Sequence, residues 1–166
     1  MPTLTLALPS GSVLLRRAVI GDLDAILALL ADDPVSAARG DRARPEDRPA
    51  YERAFAAIDA DTAQQVLVAV TDAGEVVGTM QLTVIPGLAR VGASRLQIEA
   101  VRVRSDQRGR GIGGAMIRWA MDEAPTLGAA LVQLTSDAAR VDAHRFYERL
   151  GFEASHVGFK YRPPAV

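Results

Sequence analysis

The sequence predicts an α/β (α+β) protein built as a single domain over residues 1–166, with a mixed, mostly antiparallel sheet flanked by helices. Three observations support this fold class. The chain has 166 residues, of which 49% are hydrophobic, and this suits one core. Its centre alternates apolar and polar residues as strands do. Its last third indicates strand, helix, strand and helix in turn, without a repeat or a linker.

The first third of the chain predicts a short strand and two helices. Val13 to Leu15 is the strand candidate, and Asp22 suits the N-cap of the first helix. The second helix covers Tyr51 to Ile58, where the apolar residues share one face. Between the helices, Ser36 to Pro49 is rich in Arg, Asp and Pro, which predicts a surface loop or a lid. The apolar face of the first helix comprises Leu23, Ile26, Leu27 and Leu30.

The central third predicts three strands. Val66 to Val70 and Val76 to Ile85 are joined by a short turn with a glycine, which is typical of a hairpin. Arg95 to Val103 is the third strand. Strict alternation along it places Glu99 on the same face as Val101 and Val103.

The last third predicts a helix, a strand, a second helix and further strands. The helix begins near Ile112 and cannot continue through Pro125. Ala130 to Thr135 is a strand, and Phe152 to Tyr161 is expected to supply one or two final strands. The last helix, closed by a glycine at its C′ position, has the apolar face Ala143, Phe146, Tyr147 and Leu150.

Composition excludes several classes of function. The formal net charge is −1, so no global field attracts nucleic acid or an anionic membrane. There is no cysteine and there are only two histidines, His144 and His156, so we expect no metal site. The N-terminus lacks a basic segment and is interrupted by Pro9 and Gly11, so neither a signal peptide nor a membrane span is expected. We therefore expect a cytoplasmic protein.

A glycine-rich loop follows the third central strand. Because glycine permits close backbone approach and the start of a helix presents unpaired N–H groups, this loop predicts an anion site, most often for phosphate. Gly109, Gly111 and Gly114 also spell G-x-G-x-x-G, but too little chain follows for a dinucleotide-binding fold. No Gly-Lys-Ser or Gly-Lys-Thr follows, which argues against a P-loop.

Two motifs in order narrow the choice of phosphate carrier. Residues 108–113, RGRGIG, match R-x-x-G-x-G, and residues 146–152 read FYERLGF. From about Ile98 to Phe152 the chain resembles the GNAT superfamily of acyl-CoA-dependent N-acetyltransferases. The resemblance implies transfer of an acetyl group from acetyl-CoA, used as a co-substrate without a metal, to a primary amine by direct attack. The acceptor is a small molecule or a peptide, and a homodimer is an open alternative because such proteins often pair.

The resemblance also implies roles for individual residues. The backbone of Val101 and Val103 would pair with pantetheine, and Tyr147 would act as the general acid that protonates the departing thiolate. Glu99 is the candidate base, or alternatively a carboxylate that orients the substrate or forms a salt bridge. Arg140 stands where many relatives carry an asparagine that touches the coenzyme. The residues implied to bind the pyrophosphate are Arg108, Gly109, Arg110, Gly111, Ile112, Gly113 and Gly114.

Two other functions stay open from the sequence alone. The first is a non-catalytic module of the same fold that binds or senses acyl-CoA. The second, more distant, is a dinucleotide-binding oxidoreductase. Binding and turnover assays with coenzyme A and NAD(P) would separate these functions.

Overall fold

The computed structural model describes residues 3–40 and 42–164, and its strands form one six-stranded sheet in the order β1-β2-β3-β4-β5-β6. Each pair of neighbours from β1 to β5 is antiparallel, and β6 lies beside β5. This confirms the predicted mixed α/β class. The strands are β1 (Leu4–Ala7), β2 (Ser12–Arg17), β3 (Gln64–Val70), β4 (Val76–Ile85), β5 (Ser94–Val103) and β6 (Ala129–Leu134).

Contacts divide the chain into two compact units, residues 1–133 and 134–166, of which residues 3–40, 42–133 and 134–164 are described. The first unit holds nearly the whole sheet and most helices; the second holds the last helix. The expected single domain stays a prediction. The helices are α1 (Leu23–Ala31), α2 (Pro34–Arg39), α3 (Arg48–Ala60), the single turn α4 (Ala89–Gly92), α5 (Ile112–Glu123) and α6 (Val141–Arg149).

Helices cover both faces of the sheet in the first unit. On one face, Ile26 of α1 belongs to a buried cluster with Val68 of β3, and Phe55 of α3 packs against that cluster. On the other face, α5 lies so close to β4 that a Cβ added to Gly78 would be 3.2 Å from the Met116 sulfur. The apolar spacing that predicted α1, α3 and α5 therefore marks the sides that are buried against the sheet.

A β-bulge interrupts β5 and corrects the predicted faces of this strand. Thr79 of β4 pairs with Arg102, whereas Gln81 pairs with Glu99, so one β4 residue lies opposite two β5 residues. Ala100 within the bulge has a φ of +52°. Because the extra residue reverses the alternation, Glu99 shares its face with Arg102 and not with Val101 and Val103, as strict alternation predicted.

Two further predictions of local structure are wrong. Residues 36–49 are not one loop, because α2 ends at Arg39, a 3-10 turn covers Pro45–Asp47 and α3 begins at Arg48. The prolines that suggested a loop stand in first turns, where a missing N–H costs no helical hydrogen bond. Residues 152–161 form no strand, and Phe159 is 93% exposed. The alternating apolar residues Val157, Phe159 and Tyr161 are exposed, and alternation alone does not make a strand.

Candidate functional site

The outer edge of β5 presents backbone groups beyond the bulge. The N–H of Arg104 donates to the carbonyl oxygen of Val77 at 2.9 Å, which directs the groups of Arg104 toward β4. Because hydrogen-bonding direction alternates along an antiparallel strand, the N–H and C=O groups of Val101 and Val103 point away from β4. The Val101 oxygen accepts a bond from Arg102 Nη1 at 2.7 Å, and the Val103 oxygen accepts one from Arg108 Nε at 3.1 Å.

The turn after β5 depends on glycine at two positions. Gly109 has a φ of +78° and Gly111 a φ of +89°, values that side-chain-bearing residues rarely adopt. A Cβ on Gly111 would also lie 2.9 Å from Cδ of Pro9, whereas a Cβ on Gly109 would meet nothing within 4 Å. Gly111 is therefore required both by its backbone conformation and by the close approach of the N-terminal segment.

The start of α5 has the features of an anion site. The N–H of Ala115 donates to the carbonyl oxygen of Gly111 at 2.9 Å, which closes the first helical turn. The N–H groups of Ile112, Gly113 and Gly114 precede that bond, so the helix itself offers them no carbonyl partner. The first turn carries no acidic side chain. Partial positive charge at this end of the helix therefore favours an anion.

The two arginines of the loop already contact neighbouring side chains. Asp32, directly after α1, accepts a hydrogen bond from Arg108 Nη2 at 3.2 Å and one from the backbone N–H of Ser105 at 3.2 Å. Arg110 Nη1 donates to Gln107 Oε1 at 2.5 Å. The Asp32 contacts tie the loop to the end of α1, whereas the Arg110 contact lies within the loop.

Glu99 lies on the same face of the sheet as Val68, against which α1 packs. It is exposed and lies opposite Gln81 of β4. On the same face Arg102 lies 4.0 Å from a carboxylate oxygen of Asp33, and both of these side chains are largely buried. Gln97, two residues before Glu99, accepts a hydrogen bond from Gln133 of β6 at 2.7 Å. Asp33, Gln97 and Gln133 were not predicted from the sequence. The alternation that places Gln97 on the same face as Glu99 was a signal for Gln97.

Tyr147 lies in the second unit, on α6. Its ring is half-buried and makes edge contacts with Phe146 and Phe152, with centroid distances of 5.1 Å and 5.9 Å. The Tyr147 carbonyl oxygen accepts the Phe152 N–H at 3.1 Å, and Gly151 between them has a φ of +94°. The end of α6 is thus folded back by the predicted C′ glycine, which fixes the aromatic residues of the second motif around the tyrosine.

Two other residues noted in the sequence lie near the start of α6. Arg140 is the N-cap of the helix, and its carbonyl oxygen accepts the N–H of His144 at 3.0 Å. His144 is half-buried, and its Nε2 donates to the carbonyl oxygen of Asp137 at 2.8 Å. This bond helps to order the turn before the helix, so His144 is more constrained than a fully solvated histidine.

Metal-binding clusters and membrane spans are both missing from residues 3–40 and 42–164. Within these ranges no three His, Cys, Asp or Glu side chains are grouped so that they could hold a metal ion. In the same ranges, no helix has the length and apolar character needed to cross a bilayer.

The fold and the glycine loop together define a class of α/β protein in which a bulged strand leads into a helix start suited to an anion. A sequence model of the acetyltransferase (GNAT) family matches residues 24–152, which include this strand, the loop and α6. The chain belongs to the GNAT family of acetyltransferases, a family of acyltransferases.

Three similar proteins align with most of this chain. The chain is 32% identical over 145 residues to an aminoalkylphosphonate N-acetyltransferase of Salmonella typhimurium, over 87% of this chain and 88% of that protein. A transcriptional regulator from Bacillus halodurans superposes with a TM-score of 0.85 at 42% identity, over 90% of this chain and 99% of the other. An acetyltransferase from Trypanosoma brucei superposes with a TM-score of 0.72 at 26% identity, over 90% and 98% of the two chains.

Proposed function

We propose that this protein transfers an acetyl group from acetyl-CoA to the nitrogen of a primary amine by direct attack. One observation carries the proposal. A bulged strand with outward backbone groups at Val101 and Val103 leads directly into a glycine loop and an uncapped helix start. Such a junction suits a ligand that combines amides with a pyrophosphate, because amides pair with a strand edge and phosphates with helix N–H groups.

The cofactor-binding roles divide between strand and loop. In the proposal, the outward groups of Val101 and Val103 pair with the pantetheine amides. Pantetheine would then replace the guanidinium contacts that the two carbonyl oxygens now accept. The pyrophosphate lies against residues 108–114, where Arg108 and Arg110 supply positive charge. Arg108 already donates a hydrogen bond to Asp32. It contacts the phosphate either while it keeps this bond or after it has broken it.

The chemistry requires loss of two protons from the acceptor nitrogen, protonation of the leaving thiolate, and no covalent enzyme intermediate. The amine nitrogen bonds to the thioester carbon, the carbonyl oxygen becomes an oxyanion, and N–H groups around Val101 stabilise it. The C–S bond then breaks, and Tyr147 donates a proton to the departing thiolate. The former amine nitrogen, positively charged after the attack, loses a proton to give the neutral amide, and this proton restores the Tyr147 hydroxyl through water. The ammonium form of the acceptor must first lose a proton, and Glu99 takes it directly or through water. Wild-type rates for Glu99→Gln near neutral pH would remove Glu99 from this role.

The proposed acceptor rests on what a similar protein acts on, and not on the geometry of the glycine loop. Because a protein with 32% identity over most of both chains is an aminoalkylphosphonate N-acetyltransferase, aminoalkylphosphonates are the first acceptors to test. Small-molecule amines are favoured over peptides on this ground.

A second function is kept because one relative favours it. The similar structure from Bacillus halodurans is named as a transcriptional regulator, so a non-catalytic module that binds or senses acyl-CoA is the alternative. Such a module would keep the glycine loop and lose turnover.

Two measurements on the purified protein separate these functions. Coenzyme A at 100 times its Kd should stabilise the fold by about 2.7 kcal/mol, which corresponds to a rise in Tm of roughly 5–10 °C for a chain of this size. Release of free thiol from acetyl-CoA is then followed with a panel of primary amines that includes aminoalkylphosphonates. Thiol release supports the enzyme, and stabilisation without release on any amine favours the sensor. Stabilisation by NAD(P) and none by coenzyme A would overturn both.

A further inference from the structure

Two glutamine side chains join β5 to β6 on the face of the sheet that carries Glu99. Gln133 Nε2 donates to Gln97 Oε1 at 2.7 Å, and Gln97 is only 9% exposed. Gln97 and Glu99 both precede the bulge, so strand alternation places them on one face, about 7 Å apart along β5. The amide of Gln97 is thus a neighbour of the carboxylate proposed to receive the amine.

The bond from Gln133 determines which half of the Gln97 amide is available. It occupies the oxygen of Gln97, so the NH₂ group is turned elsewhere. Among the contacts within residues 3–40 and 42–164, the Gln97 side chain makes a hydrogen bond through its oxygen only. The nitrogen is also not among the buried atoms without a partner, so it is not fully buried. A donor that is nearly but not fully buried is suited to an acceptor oxygen on a ligand.

We propose that the Gln97–Gln133 pair is the part of the acceptor site that recognises an oxyanion group on the amine. This rests on the proposed function. Glu99 holds the nitrogen end, and the Gln97 NH₂ donates to a carboxylate or phosphonate oxygen within about 7 Å of it. Gln133 is a positioning residue, because its bond keeps the donor side of Gln97 toward the substrate. A hydrogen bond to an oxyanion is charge-assisted and about twice as strong as a neutral one.

The test compares amines that differ only in the oxyanion. Gln97→Met keeps the length of the side chain and removes the donor. For an aminoalkylphosphonate or an amino acid with the same spacer, we expect kcat/KM to fall about 10- to 100-fold. For the plain alkylamine the change should stay below about threefold, and the KM for acetyl-CoA should not change. Gln133→Met should act in the same direction but less, because the Gln97 donor is still present.

Gln65→Met is the matched control. Gln65 lies on β3 and faces the opposite side of the sheet, since it pairs with Leu82 while Gln64 pairs with Thr83. Its Oε1 is buried without a partner, so removing it should disturb neither the fold nor the acceptor site. All four proteins are compared by Tm before the kinetics are interpreted. An equal loss with all amines in Gln97→Met would mean that the pair only holds the two strands together, and would overturn the inference.

A binding measurement keeps the inference separate from the proposed function. Calorimetry titrates each amine into the protein saturated with coenzyme A, so it needs no turnover. Weaker binding of the oxyanion-bearing amines to Gln97→Met than to the wild-type protein supports the pair, even if no amine is acetylated and the proposed function fails. Equal binding to both proteins, or no preference of the wild-type protein for oxyanion-bearing amines, overturns it. A larger effect for phosphonate or for carboxylate identifies the oxyanion.

Discussion

At the scale of single residues, the bulge decides which side chains share one face of β5. The sequence placed Glu99 in the strand correctly, but it placed Val101 and Val103 on the same face because strict alternation was assumed. A bulge that centres on Ala100, with a φ of +52°, leaves little trace in a sequence, since glycine is the usual sign of such a conformation. Arg102, and not a valine, therefore shares the face of Glu99.

Gln97 and Gln133 illustrate a second limit at this scale. Each is an ordinary polar residue in its own strand and belongs to no motif; only the alternation of Gln97 with Glu99 hinted at one of them. Their significance comes from a 2.7 Å bond between residues that are 36 positions apart in the sequence, and only the fold reveals that pairing. Residues that belong to a motif could be predicted, whereas those that depend on pairing between strands could not.

Tyr147→Phe tests the proposed general acid. Without the hydroxyl group the thiolate must leave unprotonated or take a proton from water, so we expect kcat to fall about 10²- to 10⁴-fold. The KM for acetyl-CoA should change much less, because the ring still packs edge-on against Phe146 and Phe152. Steady-state thiol release across the pH range measures both parameters. An unchanged kcat at every pH would remove Tyr147 from the mechanism.

At the scale of elements, the glycines correctly predicted the turn after β5, whereas the prolines wrongly predicted a loop at residues 36–49. Gly109 and Gly111 do adopt the positive φ values for which glycine is selected. Prolines in residues 36–49 suggested a surface loop or a lid, but proline also suits the first turn of a helix, and Pro49 lies in the first turn of α3. Whether a proline ends a helix or begins one depends on the residues C-terminal to it, which composition does not resolve.

Gly111→Ala and Gly109→Ala separate two requirements of the glycine loop. Both substitutions place alanine at a positive φ, which costs about 1–2 kcal/mol in unfolding free energy. Only Gly111→Ala also forces a Cβ to within 2.9 Å of Pro9, so it should be the more destabilising of the two. Urea unfolding of both variants at neutral pH measures the difference. Equal losses would show that Pro9 moves away without cost.

At the scale of the whole molecule, most helices and strands could be predicted from periodicity, but whether a segment finds a strand partner could not. Periodicity located α1, α3, α5, α6 and five of the six strands. It overlooked β1, whose register opposite β2 is a long-range property. It also added strands at residues 152–161, where the apolar alternation of Val157, Phe159 and Tyr161 is fully exposed. Alternation shows that a segment could be a strand, but a strand also needs a partner edge and a face to bury.

The stability of the whole fold toward acid should depend on one ion pair that the sequence suggested for a different reason. Asp22 was predicted as a helix cap, and it does precede α1, but its carboxylate accepts two bonds from Arg16 at 2.6 and 2.8 Å. It also accepts the N–H of Val19 at 2.8 Å. The Arg16 bonds, supported by Val19 and opposed by burial, hold the pKa of Asp22 below its ordinary value. The partly buried pair joins β2 to the turn that precedes α1.

Asp22→Asn should therefore lower stability in a way that depends on pH. A carboxyl whose pKa is lower in the folded chain stabilises the fold above its ordinary pKa, about 3.9, and loses that contribution as pH falls through the lowered value. At pH 7 we expect a loss of about 2 kcal/mol, or roughly 4–8 °C in Tm, shrinking below pH 4. Asp59→Asn is the control, because its pair with Arg17 is exposed and worth at most about 1 kcal/mol. Thermal unfolding measures the Tm of both proteins from pH 7 to pH 3. A Tm difference that stays constant over this range would contradict this account, since the charge of Asp22 would then contribute nothing to the stability of the fold.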